Sequence, residues 1–211
     1  LQNRYESNKS EFVVLYGRRR IGKTELLKQF ALDKNHIFYS AIETVDKSQL
    51  EMFSKELLKG SELENYIDSF KSWEEAFKFL ADKSKKERIL IIIDEFPYMV
   101  NGNSSIPSIL QNIWDLNLKN SKLMLVLCGS SMSFMEKELL SVKNPLYGRL
   151  TGNYKVEEFS IYETAELLHE LSFEEVVQYY GIFGGVPHHL VQINMKEPFY
   201  YNLSKIGRAH V

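Results

Sequence analysis

Phe12-Val13-Val14-Leu15-Tyr16-Gly17-Arg18-Arg19-Arg20-Ile21-Gly22-Lys23-Thr24 decides how the rest of the chain is read. Phe12 to Tyr16 is a continuous apolar run closed by a glycine, the pattern of a strand buried on both faces of a parallel sheet. Gly17 to Thr24 then fits G-x-x-x-x-G-K-[ST], a loop whose backbone N–H groups cradle phosphates. Leu26, Leu27 and Phe30 follow on one apolar stripe, so the loop opens directly into an amphipathic helix. Strand, glycine loop and helix in this order are the context the motif requires. Gly17 and Gly22 permit backbone conformations and an approach to phosphate that a Cβ would obstruct. Lys23 is placed to reach the β and γ phosphates, Thr24 to offer its hydroxyl to Mg²⁺, and the helix N-terminus adds its positive dipole. Arg18, Arg19, Arg20 and Ile21 fill the variable positions, where the arginines lie near the nucleotide or pair with a neighbouring carboxylate. Glu25 ends the stretch assigned to the nucleotide.

Outward from the loop, strand-like and helical segments alternate. His36 to Ala41 reads as a second strand, followed by helices near Ser48 to Leu58 and Ser72 to Lys83, with Lys83 to Arg88 as a polar loop. Arg88 to Ile93 is the most strand-like segment and ends in Asp94-Glu95. A helix over about Ile106 to Asn117 leads to a fourth strand, Leu123 to Cys128, closed by Gly129-Ser130-Ser131. A helix over about Met132 to Leu140 and a short fifth strand, Tyr154 to Val156, complete the alternation. This order predicts a parallel sheet with right-handed crossovers. Beyond Phe159 the pattern is helical only, over Ile161 to Leu171 and Phe173 to Tyr180, then a break at Gly184-Gly185-Val186-Pro187 before a last helix.

A carboxylate at the C-terminal edge of a buried parallel strand sits where ligands of open α/β sheets bind. Asp94 suits the Mg²⁺ shell. Glu95 is placed to orient and deprotonate a water aimed at the γ-phosphate, which favours hydrolysis over transfer to a hydroxyl acceptor. Ser130 and Ser131 either bring a hydroxyl to the γ-phosphate or cap the following helix.

Lys+Arg 26 against Asp+Glu 28 gives a formal charge of -2 on 211 residues, 44% of them hydrophobic. This composition excludes disorder and collagen-like fibre, and bulk charge offers no sign of nucleic acid. One cysteine, Cys128, excludes an internal disulfide framework and a cysteine-rich zinc site and fits a reducing cytoplasm. The apolar runs are far short of the roughly 20 residues that span a bilayer, so no membrane association is expected. Leu1 stands inside what reads as a polar helix end, which places the native start upstream. Ile206 to Val211 shows no apolar periodicity and back-translates to a run resembling an adapter oligonucleotide, so residues 205–211 are set aside as a non-native tail.

Four segments together resemble the archaeal-type ATPase family, signal-transduction P-loop ATPases related to AAA+ proteins. They are Tyr16 to Leu27, Ile92 to Tyr98, Cys128-Gly129-Ser130-Ser131 and Pro145-Leu146-Tyr147-Gly148-Arg149, within a match from about Tyr5 to about Gln192. The resemblance implies an α/β three-layer sandwich around a five-stranded parallel sheet in order 5-1-4-3-2, a small C-terminal helical lid, and ATP as the nucleotide. It makes the two acidic residues a Walker B pair to the Walker A loop. By position, Ser130 matches a polar sensor on the fourth strand. Arg149 matches an arginine that approaches a γ-phosphate in its own or a neighbouring subunit, with a surface arginine as the alternative, and self-association through Arg149 follows from the neighbour option. The domains expected are an ATPase core over 1–158, a lid over 159–204 and the tail. Many members continue into DNA-directed or regulatory regions, so a DNA or protein partner is expected through segments outside this chain. His188 and His189 lack companions at metal-ligand spacing and are assigned to packing. Two functions are then open: an Mg²⁺-dependent ATPase, or a nucleotide-gated switch with negligible turnover.

Overall fold

In a computed structural model that describes residues 1–208, five strands form one sheet. They are β1 (Glu11–Tyr16), β2 (His36–Ser40), β3 (Ile89–Asp94), β4 (Leu123–Gly129) and β5 (Gly152–Lys155), in the order β2-β3-β4-β1-β5. Every pairing is parallel, with Val13 opposite Val126 and Gly152, and Ser40 opposite Asp94. This is the 5-1-4-3-2 order read from the other edge. The apolar runs account for it: every residue of β1, β3 and β4 is buried, so both faces of the central strands are covered.

Alternation along each strand divides the buried side chains between those faces. Phe12, Val14, Ile89, Ile91, Leu125 and Leu127 belong to one cluster that includes Phe53, Trp73 and Phe77 from the helices. Val13, Leu15, Leu90, Ile92, Met124 and Val126 are equally buried and point the other way.

A short helix, α1 (Gln2–Glu6), precedes β1, and the crossover helices are α2 (Lys23–Ala31), α3 (Asp46–Leu58), α4 (Trp73–Lys86), α5 (Phe96–Gly102) and α6 (Ile106–Ile113). Two π-helical stretches, Trp114–Leu118 and Phe134–Leu139, and short 3₁₀ turns complete the first part of the chain. Three differences from the sequence reading stand out. The lysine-rich segment expected as a loop continues α4 to Lys86, because Ala81 and Ser84 are buried while the lysines between and after them remain in solvent. α5 was not anticipated; Pro97 sits in its first turn, where a missing N–H costs nothing. The fifth strand begins two residues earlier than expected, at Gly152.

Compactness divides the chain into two units, one of Leu1–Gly17 with Lys23–Lys155, the other of Arg18–Gly22 with Val156–Val211. In the second, α7 (Ile161–Leu167) and α8 (Phe173–Phe183) each start with a capping box, Ser160 with Glu163 and Ser172 with Glu175. Gly185 follows the end of α8 and accepts a 2.8 Å hydrogen bond from the Phe159 N–H. A Cβ there would lie 1.7 Å from the Phe159 carbonyl oxygen, so no larger residue fits. Pro187 then opens α9 (Pro187–Leu190), and α10 spans Phe199–Arg208. The expected glycine break is therefore present. The expected end of ordered periodicity is not: Ile206 is fully buried with Leu168, Val176 and Leu190, and the helix runs through residues set aside as tail. The remainder of that segment, 209–211, lies outside the described residues. Among the described residues no helix is long and apolar enough to cross a membrane.

Candidate functional site

The loop after β1 supplies the first group. Lys23 is the first residue of α2, is only 6% exposed, and donates from Nζ to the Gly17 carbonyl at 3.0 Å. Gly22 has φ +84°, a backbone conformation that favours glycine. Arg20 shares a positive φ of 70° without being glycine. Within the second unit Arg18 pairs with Glu158 at 3.6 Å, and the Arg20 carbonyl accepts from the His188 N–H at 3.2 Å. His188 and its neighbour His189 form a ring contact with one another.

Parallel pairing brings the ends of β3 and β4 to the same edge of the sheet as the end of β1. The side chains there are linked in series. Thr24 Oγ1 donates to Asp94 Oδ2 at 2.7 Å, and Asp94 Oδ1 accepts the Glu95 N–H at 3.0 Å. Glu95 in turn accepts from Ser130: the hydroxyl lies 2.8 and 3.0 Å from its two carboxylate oxygens, and the Ser130 N–H is 3.3 Å from Oε2. Asp94 is nearly fully buried, where a polar group is costly unless hydrogen-bonded as it is here.

Glu95 holds φ 52° and ψ 41°, the left-handed region, at the point where β3 passes into α5. For a residue with a Cβ this costs about 1–3 kcal/mol and persists only where surroundings enforce it. The hydrogen bond from its N–H to the Asp94 carboxylate and those from Ser130 supply that enforcement. Cys128 lies beside the same groups. Burial first, and then the Asp94 carboxylate, pushes its thiol up. The thiol stays protonated and out of solvent, so iodoacetamide is expected to leave the native chain unmodified and to react once it is unfolded. Rapid alkylation of the folded chain would contradict that placement. A cavity of about 460 Å³ opens beside Thr24, lined also by Lys28, Ser40, Met52, Lys55 and Glu56.

Arg149 is elsewhere. It ends a 3₁₀ turn three residues before β5, and Gly152 pairs with Val13, four residues before Gly17. At about 3.3 Å of rise per residue that separates their levels by roughly 13 Å, with Arg149 further still toward the N-terminal edge of the sheet. The register thus leaves the option of service to its own phosphate loop without support. Arg149 instead makes a two-pronged ion pair with Asp115, 2.6 Å at the shorter contact. The guanidinium holds the Asp115 carboxyl below its ordinary value. The sign follows: this pairing is complete above the ordinary carboxylate range and is lost as pH falls through the lowered value.

Sequence reasoning named Lys23, Thr24, Asp94, Glu95 and Ser130, of which the structure links Thr24, Asp94, Glu95 and Ser130 in one hydrogen-bonded series directly after Lys23. It missed Cys128 beside Asp94, and it missed Asp115. The first was legible from the register of β3 against β4; the second had no local signal, since it lies 34 residues from Arg149.

A parallel sheet with a glycine loop after its inner strand and an acidic pair on a neighbouring strand end defines a P-loop nucleoside-triphosphatase fold. The chain belongs to the family of ATPase domains found predominantly in Archaea, whose model matches residues 1–193. It is 38% identical over 206 residues to an uncharacterized protein of Methanocaldococcus jannaschii, covering 97% of this chain and 44% of that protein. It thus spans less than half the length of that relative. Among solved structures it resembles the Walker-type ATPase of Pyrococcus abyssi, with TM-score 0.73 and 20% identity over 99% of this chain and 69% of that one. It also resembles the ORC2 protein of Aeropyrum pernix in its ADPNP–ADP complexes, with TM-score 0.63 and 14% identity over 90% and 57% of the two chains. At those identities the likeness carries the fold alone.

Proposed function

We propose that this chain binds ATP with Mg²⁺ through Gly17 to Glu25 and hydrolyses it to ADP and phosphate. The observation that carries this reading is the hydrogen-bonded series from Thr24 through Asp94 and Glu95 to Ser130, anchored beside a lysine-bearing glycine loop. The donor set suits Mg²⁺, since Thr24 Oγ1 and Asp94 Oδ2 are hard oxygens already 2.7 Å apart, and Mg²⁺ in phosphate sites takes few protein ligands. When bound, the ion would neutralise charge on the phosphates. Lys23 adds a second cation at the β and γ phosphates, and the loop N–H groups orient them. Glu95 accepts a proton from the attacking water at a carboxylate oxygen. Ser130 offers Glu95 only one hydroxyl hydrogen and one N–H, so of the carboxylate's roughly four acceptor sites about two stay open to water.

That engagement of Glu95 favours a second reading, in which ATP sets a conformational state and slow hydrolysis only resets it. Steady-state phosphate release against ATP affinity separates the two: tight binding with turnover of a few per hour supports the switch. In either reading residues 1–158 form the ATPase core, and the helical lid begins at 159 and includes α10. Arg149 then serves a neighbouring copy, and the effector, DNA-directed or regulatory, lies in parts of the protein outside this chain. Salt-dependent DNA binding by the full-length protein, absent from this chain, would support a DNA-directed effector.

The metal role of Thr24 has its own test. Thr24→Ala is expected to raise the free Mg²⁺ needed for half-maximal ATP binding by about tenfold, ~1.4 kcal/mol, with Thr24→Ser restoring it. An unchanged Mg²⁺ requirement in Thr24→Ala contradicts the assignment.

A further inference from the structure

Arg149 has a planar guanidinium with five N–H donors, and this chain uses all of them. Nε donates to Asp115 Oδ1 at 3.2 Å, Nη2 to Asp115 Oδ2 at 2.6 Å, and Nη1 to the Pro145 carbonyl at 3.1 Å. With the Gln111 side-chain amide turned so that its oxygen faces the guanidinium, that oxygen accepts from Nη2 at 2.9 Å and from Nη1 at 3.3 Å. Gln111 and Asp115 are four residues apart across the junction of α6 and the π-helical stretch, so both face the same way.

Phosphate oxygens are recognised by the same forked donors that a carboxylate takes. An arginine whose Nε and Nη2 edge is closed by Asp115 has no donor to offer a phosphate until Asp115 lets go. The contact is also easily exchanged: the Arg149 and Asp115 side chains are 29% and 40% exposed, and ion pairs open to water are weak. Next to Asp115, Leu116 is 72% exposed, and near Arg149 in the chain Tyr147 is 47% exposed. The saturated guanidinium thus lies on an accessible surface with apolar side chains beside it in the chain.

We infer that Asp115 and Gln111 form a latch that withholds Arg149 from phosphate in the isolated chain, and that the nucleotide of a second copy opens it by taking the place of Asp115. The inference rests on the reading that Arg149 serves a nucleotide. Nothing covalent changes: carboxylate oxygens on Nε and Nη2 are replaced by phosphate oxygens, and Asp115 returns to water.

The test compares parent, Asp115→Asn, Arg149→Ala and the double variant, with turnover per subunit measured across a range of protein concentration. Asp115→Asn keeps the side-chain shape and removes the charge. It is expected to reach half-maximal turnover at about two- to fivefold lower protein concentration than the parent, the range set by an exposed ion pair. The double variant should match Arg149→Ala. Sedimentation with a non-hydrolysable ATP analogue gives the same comparison for self-association and does not depend on turnover, and thermal unfolding checks that each variant is folded. If Asp115→Asn loses turnover as Arg149→Ala does, Asp115 supports the arginine and the latch is wrong. If Asp115→Asn matches the parent while Arg149→Ala is impaired, the pair is an ordinary surface contact and the latch is again wrong. If Arg149→Ala itself matches the parent in turnover and in self-association, the reading of Arg149 fails, whatever Asp115 does.

Discussion

Glu95→Gln is expected to lower ATP turnover by about 10²- to 10⁴-fold, the range for loss of a positioned general base, while ATP still binds. The substitution is nearly isosteric. Its amide oxygen still accepts from the Ser130 hydroxyl, now 2.8 and 3.0 Å from the two carboxylate oxygens, and its backbone N–H still donates to Asp94 at 3.0 Å. The left-handed turn at residue 95 is therefore retained, and the loop, Lys23 and Thr24 are not touched. What disappears is the capacity to accept a proton from water. Phosphate release and equilibrium ATP binding must both be measured, because their divergence is the signature. Turnover equal to the parent's would remove Glu95 from the chemistry. Loss of binding together with turnover would place it in nucleotide binding or folding instead. A parent that binds ATP and does not hydrolyse it moves the weight to the switch reading, with Ser130 as the residue that keeps the base engaged.

How far such a site can be read from sequence depends on the range of the forces that build it. The central strands were legible because a continuous run such as Ile89 to Ile93 has only one comfortable place, the middle of a parallel sheet with both faces covered. Lys23, Thr24 and Asp94 were legible because local backbone geometry fixes them at strand ends that parallel pairing must bring together. α4 was cut short because a lysine run looks like solvent-exposed loop, although a helix with one buried stripe tolerates lysines on its open face. Ser160-Ile161-Tyr162-Glu163 and Ser172-Phe173-Glu174-Glu175 carried an unused signal, the capping box, that marks where α7 and α8 begin. Ile206 misled because one apolar residue has no periodicity, and its burial arises from packing against Leu168, Val176 and Leu190 far back in the chain. The grip of Asp115 and Gln111 on Arg149 had no sequence signal for the same reason: only the register of β5 against β1 shows that the arginine starts from the opposite edge of the sheet.

Lys23→Ala is expected to weaken ATP binding by about 100-fold, ~2.7 kcal/mol, within the range for losing a charge-assisted hydrogen bond to phosphate. Lys23 is an almost fully buried cation at the first position of α2, and its Nζ rests 3.0 Å from the Gly17 carbonyl. Holding an ammonium there is unfavourable by itself, since burial penalises charge. A bound polyphosphate offsets that penalty, so affinity is the quantity most sensitive to this side chain. Alanine also removes the aliphatic stem, and Lys23→Met separates the two effects by keeping the stem and deleting the charge. If charge is what matters, both variants lose affinity alike and both stay folded. Thermal unfolding supplies an independent reading: ligand at 100 times its dissociation constant stabilises the parent by about 2.7 kcal/mol, and at that same ATP concentration the variants gain only a small fraction of it. Affinity equal to the parent's in Lys23→Met would show that this lysine serves packing, and the phosphate-loop assignment would fall with it. Weakened binding in Lys23→Met alongside intact binding in Glu95→Gln would separate the residue that holds the nucleotide from the residue that activates the attacking water.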